Sequence, residues 1–362
     1  MWGQGGAPQS THGWPPGGLP SPYGQQRQGY FGRAPQGAGF GGPRLGQPYY
    51  APGRAPAPVR RRSPLRGLLM ALMTVVLLAV GGLSLTNVTA PTSNASYENE
   101  DYRVPPPDQS PPPLPVPETY EEAEQWVVNS ALYQQKVPSA VRCNAQPINV
   151  DTASDSQLKS HFESLMECLM RVWEPPLVAA GFQVVRPSVT IYGREITTKC
   201  GKTDVNAFYC SADQQVYFSN QLPNYVTIVK RNKWAADVVM AHEFGHAIQA
   251  RTGILISGHA LGQNSGSEST ELELSRRLET QADCFAGMFT GAVSESLGIQ
   301  QSDRAGIQET FVAVGDDTLS RNPSVVGNHG LGRSRSYWGT AGLDSSDVGT
   351  CNTFTAQRSL VR

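Results

Sequence analysis

The sequence predicts an α+β domain, mostly helical with a small antiparallel sheet, preceded by a disordered tail and one transmembrane helix. Three observations predict it. Apolar residues recur at helical spacing in long stretches, near 155–173, 232–251 and 270–296. Two short runs, Val189–Tyr192 and Gln215–Phe218, are rich in the β-branched and aromatic residues that favour strands. An uncharged aliphatic run, Gly67 to Leu85, directly follows a cluster of arginines.

The chain divides into four parts. Residues 1–62 are rich in Gly, Pro, Gln and Tyr and nearly lack aliphatic residues, so they cannot offset their ordering entropy and are expected to be a disordered cytoplasmic tail. The net charge of −1 conceals an asymmetry: residues 1–66 contain eight Arg and no acid, whereas the other 21 basic residues face 30 acidic ones. The predicted transmembrane helix occupies 63–86. Its uncharged core is about the length that crosses a bilayer. Arg60, Arg61, Arg62 and Arg66 keep its N-terminal flank cytoplasmic, so the rest of the chain is expected outside. The alternative is a secreted protein, released by cleavage near the small residues of Val88-Thr89-Ala90. Residues 87–118 read as a linker, stiffened by Pro105–Pro107 and Pro111–Pro113.

Residues 119–362 hold enough chain for a proper core. A helix is expected near 119–135. The next carries Leu158, Phe162, Leu165 and Leu169 on one face and is expected to end at Pro175-Pro176. The two strands follow, then two long helices. Six cysteines, none in a CxxC pair, point to disulfides and an oxidising compartment. Among the many possible pairings, Cys200–Cys210 closes a short loop and Cys284–Cys351 ties the C-terminus to the last long helix, which leaves Cys143–Cys168.

The chemistry concentrates in Ala241-His242-Glu243-Phe244-Gly245-His246-Ala247, an HExxH motif. Four residues apart on a helix, His242 and His246 lie on one face and can reach the same Zn²⁺. Glu243 can approach a zinc-bound water without binding the metal. Gly245 is unfavourable inside a helix, and a close approach by another backbone would explain it. A catalytic zinc site takes three protein ligands and keeps one position open. Glu279, on the second long helix in Leu278-Glu279-Thr280-Gln281-Ala282-Asp283-Cys284, completes that set. Asp283, one turn further on, can accept the free N–H of a liganding histidine and fix its tautomer.

The elements HEFGHAIQ and LETQADCFAG resemble those of the bacterial neutral zinc metallopeptidases, a gluzincin-type family. The stretches Cys200-Gly201 to Phe218, Val314–Asp317, His329-Gly330, Trp338 and Cys351–Phe354 extend the likeness over roughly 120–355. The resemblance implies a zincin-like fold, zinc bound by His242, His246 and Glu279, and Glu243 as the catalytic residue.

Other residues compete for roles. His259, in the Gly-rich stretch 257–267, is read as a loop histidine and alternative ligand. Glu271 and Glu273 are further carboxylates within reach of the metal in sequence, and His161 reads as structural. His329 is a candidate donor to the developing oxyanion, and Tyr337 a weaker one. Arg333 and Arg335 could hold a substrate carboxylate or be exposed charges. Asp316 and Asp317 read as helix caps. The strand Gln215–Phe218 offers an edge along which a peptide could lie extended.

The expected function is zinc-dependent peptide-bond hydrolysis outside the cytoplasm, with Zn²⁺ as cofactor. Expected partners are a peptide or protein substrate and, through a single helix, the membrane; no nucleic acid is expected. The alternatives are a non-catalytic binding or assembly module stabilised by zinc, and a tethered interaction protein acting through its tail.

Overall fold

The computed structural model describes residues 96–362; the predicted tail, the predicted transmembrane helix and the first part of the predicted linker lie outside the described residues. Within 96–362, no helix is long and apolar enough to cross a membrane. In chain order the longer elements are helices α1 (Tyr120–Val128) and α2 (Asp155–Ala179), strands β1 (Val189–Tyr192), β2 (Ile196–Thr198), β3 (Gly201–Thr203), β4 (Ala207–Cys210) and β5 (Gln215–Ser219), the short helices α3 (Leu222–Tyr225) and α4 (Ile228–Arg231), then α5 (Ala235–Arg251), α6 (Ile254–Asn264), α7 (Glu268–Leu297), α8 (Arg304–Ala313), the short α9 (Asp316–Leu319) and α10 (Gly332–Leu343).

Helix α2 starts on a capping box, in which Ser154 accepts from the Gln157 N–H and the Gln157 side chain answers the Ser154 N–H. It does not stop at Pro175-Pro176 as the sequence suggests. A proline at 175 removes the N–H that would bond the Arg171 carbonyl. Asn99 Nδ2 supplies a donor to that carbonyl instead, at 2.7 Å. The rest of 96–118 is fastened in the same manner: Arg186 Nη1 donates to Pro105 O at 3.3 Å, and Gln214 Nε2 and Arg251 Nη1 donate to Pro112 O at 2.9 and 3.0 Å. The proline-rich stretch has no helix or strand, and these bonds pin it to the domain.

The sheet is mixed, not antiparallel. Its order is β1-β5-β4, with β1 parallel to β5 and β4 antiparallel to it; β2 and β3 form a separate antiparallel hairpin. The chain between β1 and β5 makes the hairpin and β4 before returning, which is length enough for a parallel crossover. β5 is therefore the central strand and cannot offer the open edge expected of Gln215–Phe218; β4 lies at that edge.

The core joins the sheet to the helices. Phe162 of α2 packs on Phe218 of β5 with ring centroids 4.7 Å apart, and Trp173 packs edge-on against Phe285 of α7 at 5.0 Å. Helix α5 is buried on nearly all sides, polar residues included, which marks it as the central helix. α10 lies close along α7: a Cβ on Gly287 would fall 1.9 Å from the Gly339 carbonyl oxygen, and one on Gly342 equally close to that of Cys284. The disulfides are Cys143–Cys168, Cys200–Cys210 and Cys284–Cys351, the pairing favoured from sequence.

Candidate metal centre

Helices α5 and α7 touch where Gly245 meets Ala282. A Cβ on Gly245 would lie 3.0 Å from Ala282 Cα. The mid-helix glycine, which costs about 1 kcal/mol against alanine, is what lets the two backbones approach. The approach faces His242 and His246 of α5 toward Glu279 of α7. The two Nε2 atoms are 3.1 Å apart; Glu279 Oε2 lies 3.4 Å from His242 Nε2, and Glu279 Oε1 lies 3.5 Å from His246 Nε2. Among the described residues these three form the group able to hold a metal ion.

The donor set fits zinc. Ligand atoms about 2.0–2.1 Å from a tetrahedral ion lie about 3.3–3.4 Å from one another, close to the 3.1 Å between the two Nε2 atoms and to the 3.4 and 3.5 Å from each Nε2 to a different oxygen of the Glu279 carboxylate. The outer ring nitrogens are committed elsewhere: His242 Nδ1 donates to Asp283 Oδ1 at 2.9 Å, and His246 Nδ1 to Gln249 Oε1 at 2.8 Å. Both Nε2 lone pairs thus converge with a carboxylate, an arrangement that requires a cation. Without a metal ion a proton must serve. Burial opposes charge on His242, but Asp283 and Glu279 outweigh it and carry its pKa up to about 10. Burial, reinforced by neighbouring His242, pushes His246 down to about 4 despite the opposing pull of Glu279, so that ring stays neutral.

Asp283 is itself held. Arg335 of α10 donates to it through Nε at 2.8 Å and Nη2 at 2.9 Å, while Nη1 donates to the Val314 carbonyl at 2.9 Å. The Arg335 side chain is 4 % exposed, so it is neither a surface charge nor free to hold a substrate carboxylate. Its bidentate geometry fixes the carboxylate plane and leaves Oδ1 aimed at His242.

Glu243 is buried beside the three donors but outside their group. Its Oε2 accepts the Tyr209 N–H of β4 at 2.9 Å. Burial pushes its carboxyl up to about 7, with Glu279 adding to the rise and His242 opposing it. A carboxylate poised near neutrality can take a proton from water and return it.

The remaining candidates separate. His329 is 43 % exposed, and its Nδ1 bonds Asp316 Oδ1 at 3.2 Å. Burial lowers its pKa, but Asp316 and Glu279 outweigh that and raise it. Asp316 caps no helix: its Oδ2 gathers the N–H groups of Gly327, His329 and Gly330 and so shapes the loop that carries His329. His259 lies on α6 rather than in a loop, outside the metal group. Glu273 is engaged by Arg277 and Arg358. His161 bonds Asp237 at 2.6 Å, a structural pair at the start of α5. Tyr337 is 50 % exposed and, two residues on from Arg335, points from another side of α10. The part played by Arg335 and the bond from Gln249 escaped the sequence reading. An arginine or glutamine carries no spacing signal that names its partner.

Two imidazoles one turn apart and a carboxylate from a second helix form a group that could hold zinc, with a buried glutamate alongside. The chain belongs to the family described as "Putative neutral zinc metallopeptidase", which matches residues 124–354. It is 31% identical to an uncharacterized protein of Mycobacterium tuberculosis over 208 residues, 51% of this chain and 67% of that protein. It is 32% identical to the uncharacterized protein YpfJ of Escherichia coli over 195 residues, 50% of this chain and 66% of that one. The chain thus spans about two thirds of these relatives' length. No solved structure matches it.

Proposed function

We propose that this protein hydrolyses peptide bonds with zinc held by His242, His246 and Glu279. The observation that carries the reading is the convergence of two imidazole Nε2 atoms and the Glu279 carboxylate, each Nε2 within 3.5 Å of one of its oxygens, with the Glu243 carboxylate beside them. A bound zinc ion would supply Lewis acidity to the scissile carbonyl and acidify the attacking water. Glu243 takes the water's proton and delivers it to the leaving amine. His329, steadied by Asp316, donates to the developing oxyanion. The substrate lies extended beside β4, the outer strand that already touches Glu243 through the Tyr209 N–H.

The test is zinc content and cleavage of a peptide library by the purified chain. Glu243→Gln should retain about one zinc and lose roughly 10²–10⁴-fold in rate. Wild-type protein that holds zinc yet cleaves nothing would point to the zinc-stabilised binding module instead.

The site is further proposed to work outside the cytoplasm, on a chain tethered by the uncharged run 67–85. The arginines before that run and the three disulfides support this placement. Protease added to intact cells should remove the C-terminal part, and alkaline washing should leave the chain with the membrane. Release into the medium would favour a cleaved signal.

A further inference from the structure

Two glutamines behind His246 are completely buried, Gln249 on α5 and Gln281 on α7. Burying an amide among apolar side chains is unfavourable unless its groups are all bonded. Here they are, and backbone carbonyls dictate which way each amide faces. The Leu278 carbonyl, which can only accept, sits 2.8 Å from Gln249 Nε2. The Cys351 carbonyl sits 3.0 Å from Gln281 Nε2. Tyr133 Oη donates to the Val127 carbonyl at 3.0 Å, so it must accept from Gln281 Nε2, 2.8 Å away.

With both nitrogens so directed, both amide oxygens face the other way. Gln281 Oε1 accepts a second bond from Gln249 Nε2 at 3.0 Å. Gln249 Oε1 is left facing His246 Nδ1 at 2.8 Å, where it can only accept. The ring proton of His246 must then sit on Nδ1, which leaves the Nε2 lone pair toward Glu279 and His242.

We propose that Gln249, backed by Gln281, is the positioning pair that locks His246 in its metal-binding tautomer and orientation before any metal arrives. The proposal rests on the reading of His246 as a zinc ligand. It sets the two histidines apart. His242 leans on a charged carboxylate, Asp283, whereas His246 leans on a neutral amide whose polarity is fixed by three main-chain carbonyls. Those carbonyls belong to three separate segments: Val127 in α1, Leu278 in α7, and Cys351 beside the disulfide to Cys284. The pair thus links the metal ligand to the packing of the whole core.

The experiment uses the full chain, with His246 followed by ¹⁵N imidazole NMR in zinc-free protein and zinc affinity by competition with a chromophoric chelator. Wild type should show a single Nδ1–H tautomer. Gln249→Met, close in volume, should mix the tautomers and weaken zinc binding by about 10–100-fold. Gln281→Met should shift both quantities in the same direction by less, and it decides the matter if Gln249→Met does not fold. Unchanged tautomer and affinity in the folded variants would overturn the proposal. Wild-type protein with no zinc affinity would overturn the metal reading instead, while the tautomer in zinc-free protein still decides the role of the pair.

Discussion

Arg335 reaches across from α10 to grip both carboxylate oxygens of Asp283, at 2.8 and 2.9 Å, and Asp283 in turn accepts from His242. The three groups form one buried unit in which a carboxylate is shared by a permanent cation and a candidate ligand. Arg335→Met would leave Asp283 buried without its main counter-charge, at a cost of about 3–5 kcal/mol. A zinc ion that takes the place of the His242 proton raises the positive charge beside Asp283 from one to two. The loss in melting temperature should therefore be larger after metal removal than with zinc bound. Calorimetry with and without a chelator reads the difference. Equal losses in the two states would mean that Arg335 does not act on the metal side of the network. Arg335→Lys should recover only part of the loss, because one ammonium cannot reproduce the two-pronged contact.

Zinc and a proton compete for the same place. The pKa of His242 is carried up to about 10 without metal, so at neutral pH zinc must displace a proton from it. Affinity should then rise with pH by about tenfold per unit between roughly 6 and 8, because one proton leaves for each ion bound. Chelator competition at several pH values measures the slope, and proton release on zinc addition can be followed in weak buffer. A flat profile would show that His242 is already neutral.

Glu243 serves as a base only when ionised. Burial lifts its carboxyl to about 7 in the metal-free site, and an adjacent zinc ion draws it down. Activity should accordingly fall as pH drops through a value below 7, with the acidic limb of kcat/KM reporting the group. Glu243→Asp should lower kcat while retaining zinc, because its shorter side chain no longer reaches the same point.

The residues of the centre were legible because each belongs to a local pattern. His242 and His246 share one helical turn, and Glu279 and Asp283 share another; spacing alone aligns them. What escaped notice depends on partners distant in the chain. Arg335 lies 52 residues from Asp283, and Gln281 lies 148 residues from Tyr133. Composition also misled. The glycines near His259 suggest a loop, yet two of them are close-packing positions on a helix: a Cβ at Gly258 would press on Leu278, and one at Gly262 on Glu271. The mixed sheet was illegible for a related reason. Short β-rich runs announce strands, but the direction of pairing depends on the route between them, here the β2-β3 hairpin and strand β4 inserted between β1 and β5. Pro175 signals a helix end only if the carbonyl it orphans has no other donor, and Asn99 provides one.

That last contact predicts that residues 96–118 belong to the folded unit. Asn99 and Arg171 exchange bonds in both directions, since Arg171 Nη1 donates to the Asn99 carbonyl at 2.7 Å while Asn99 Nδ2 serves the Arg171 carbonyl. Further along, Arg251 extends from the end of α5 to the Pro112 carbonyl, so the segment reaches the helix that carries both histidines. A chain beginning at residue 119 loses these bonds and leaves the Arg171 carbonyl unserved at the prolines of α2. It should be less stable than one beginning at 96 by about 2–3 kcal/mol, the sum of several modest net hydrogen bonds. For a domain of this size that is a fall of roughly 5–10 °C in melting temperature. Asn99→Ala in the longer chain should reproduce about a fifth of the loss, since it removes one of the five bonds named. If the two chains melt together, residues 96–118 are a free spacer, and α2 tolerates its prolines for another reason.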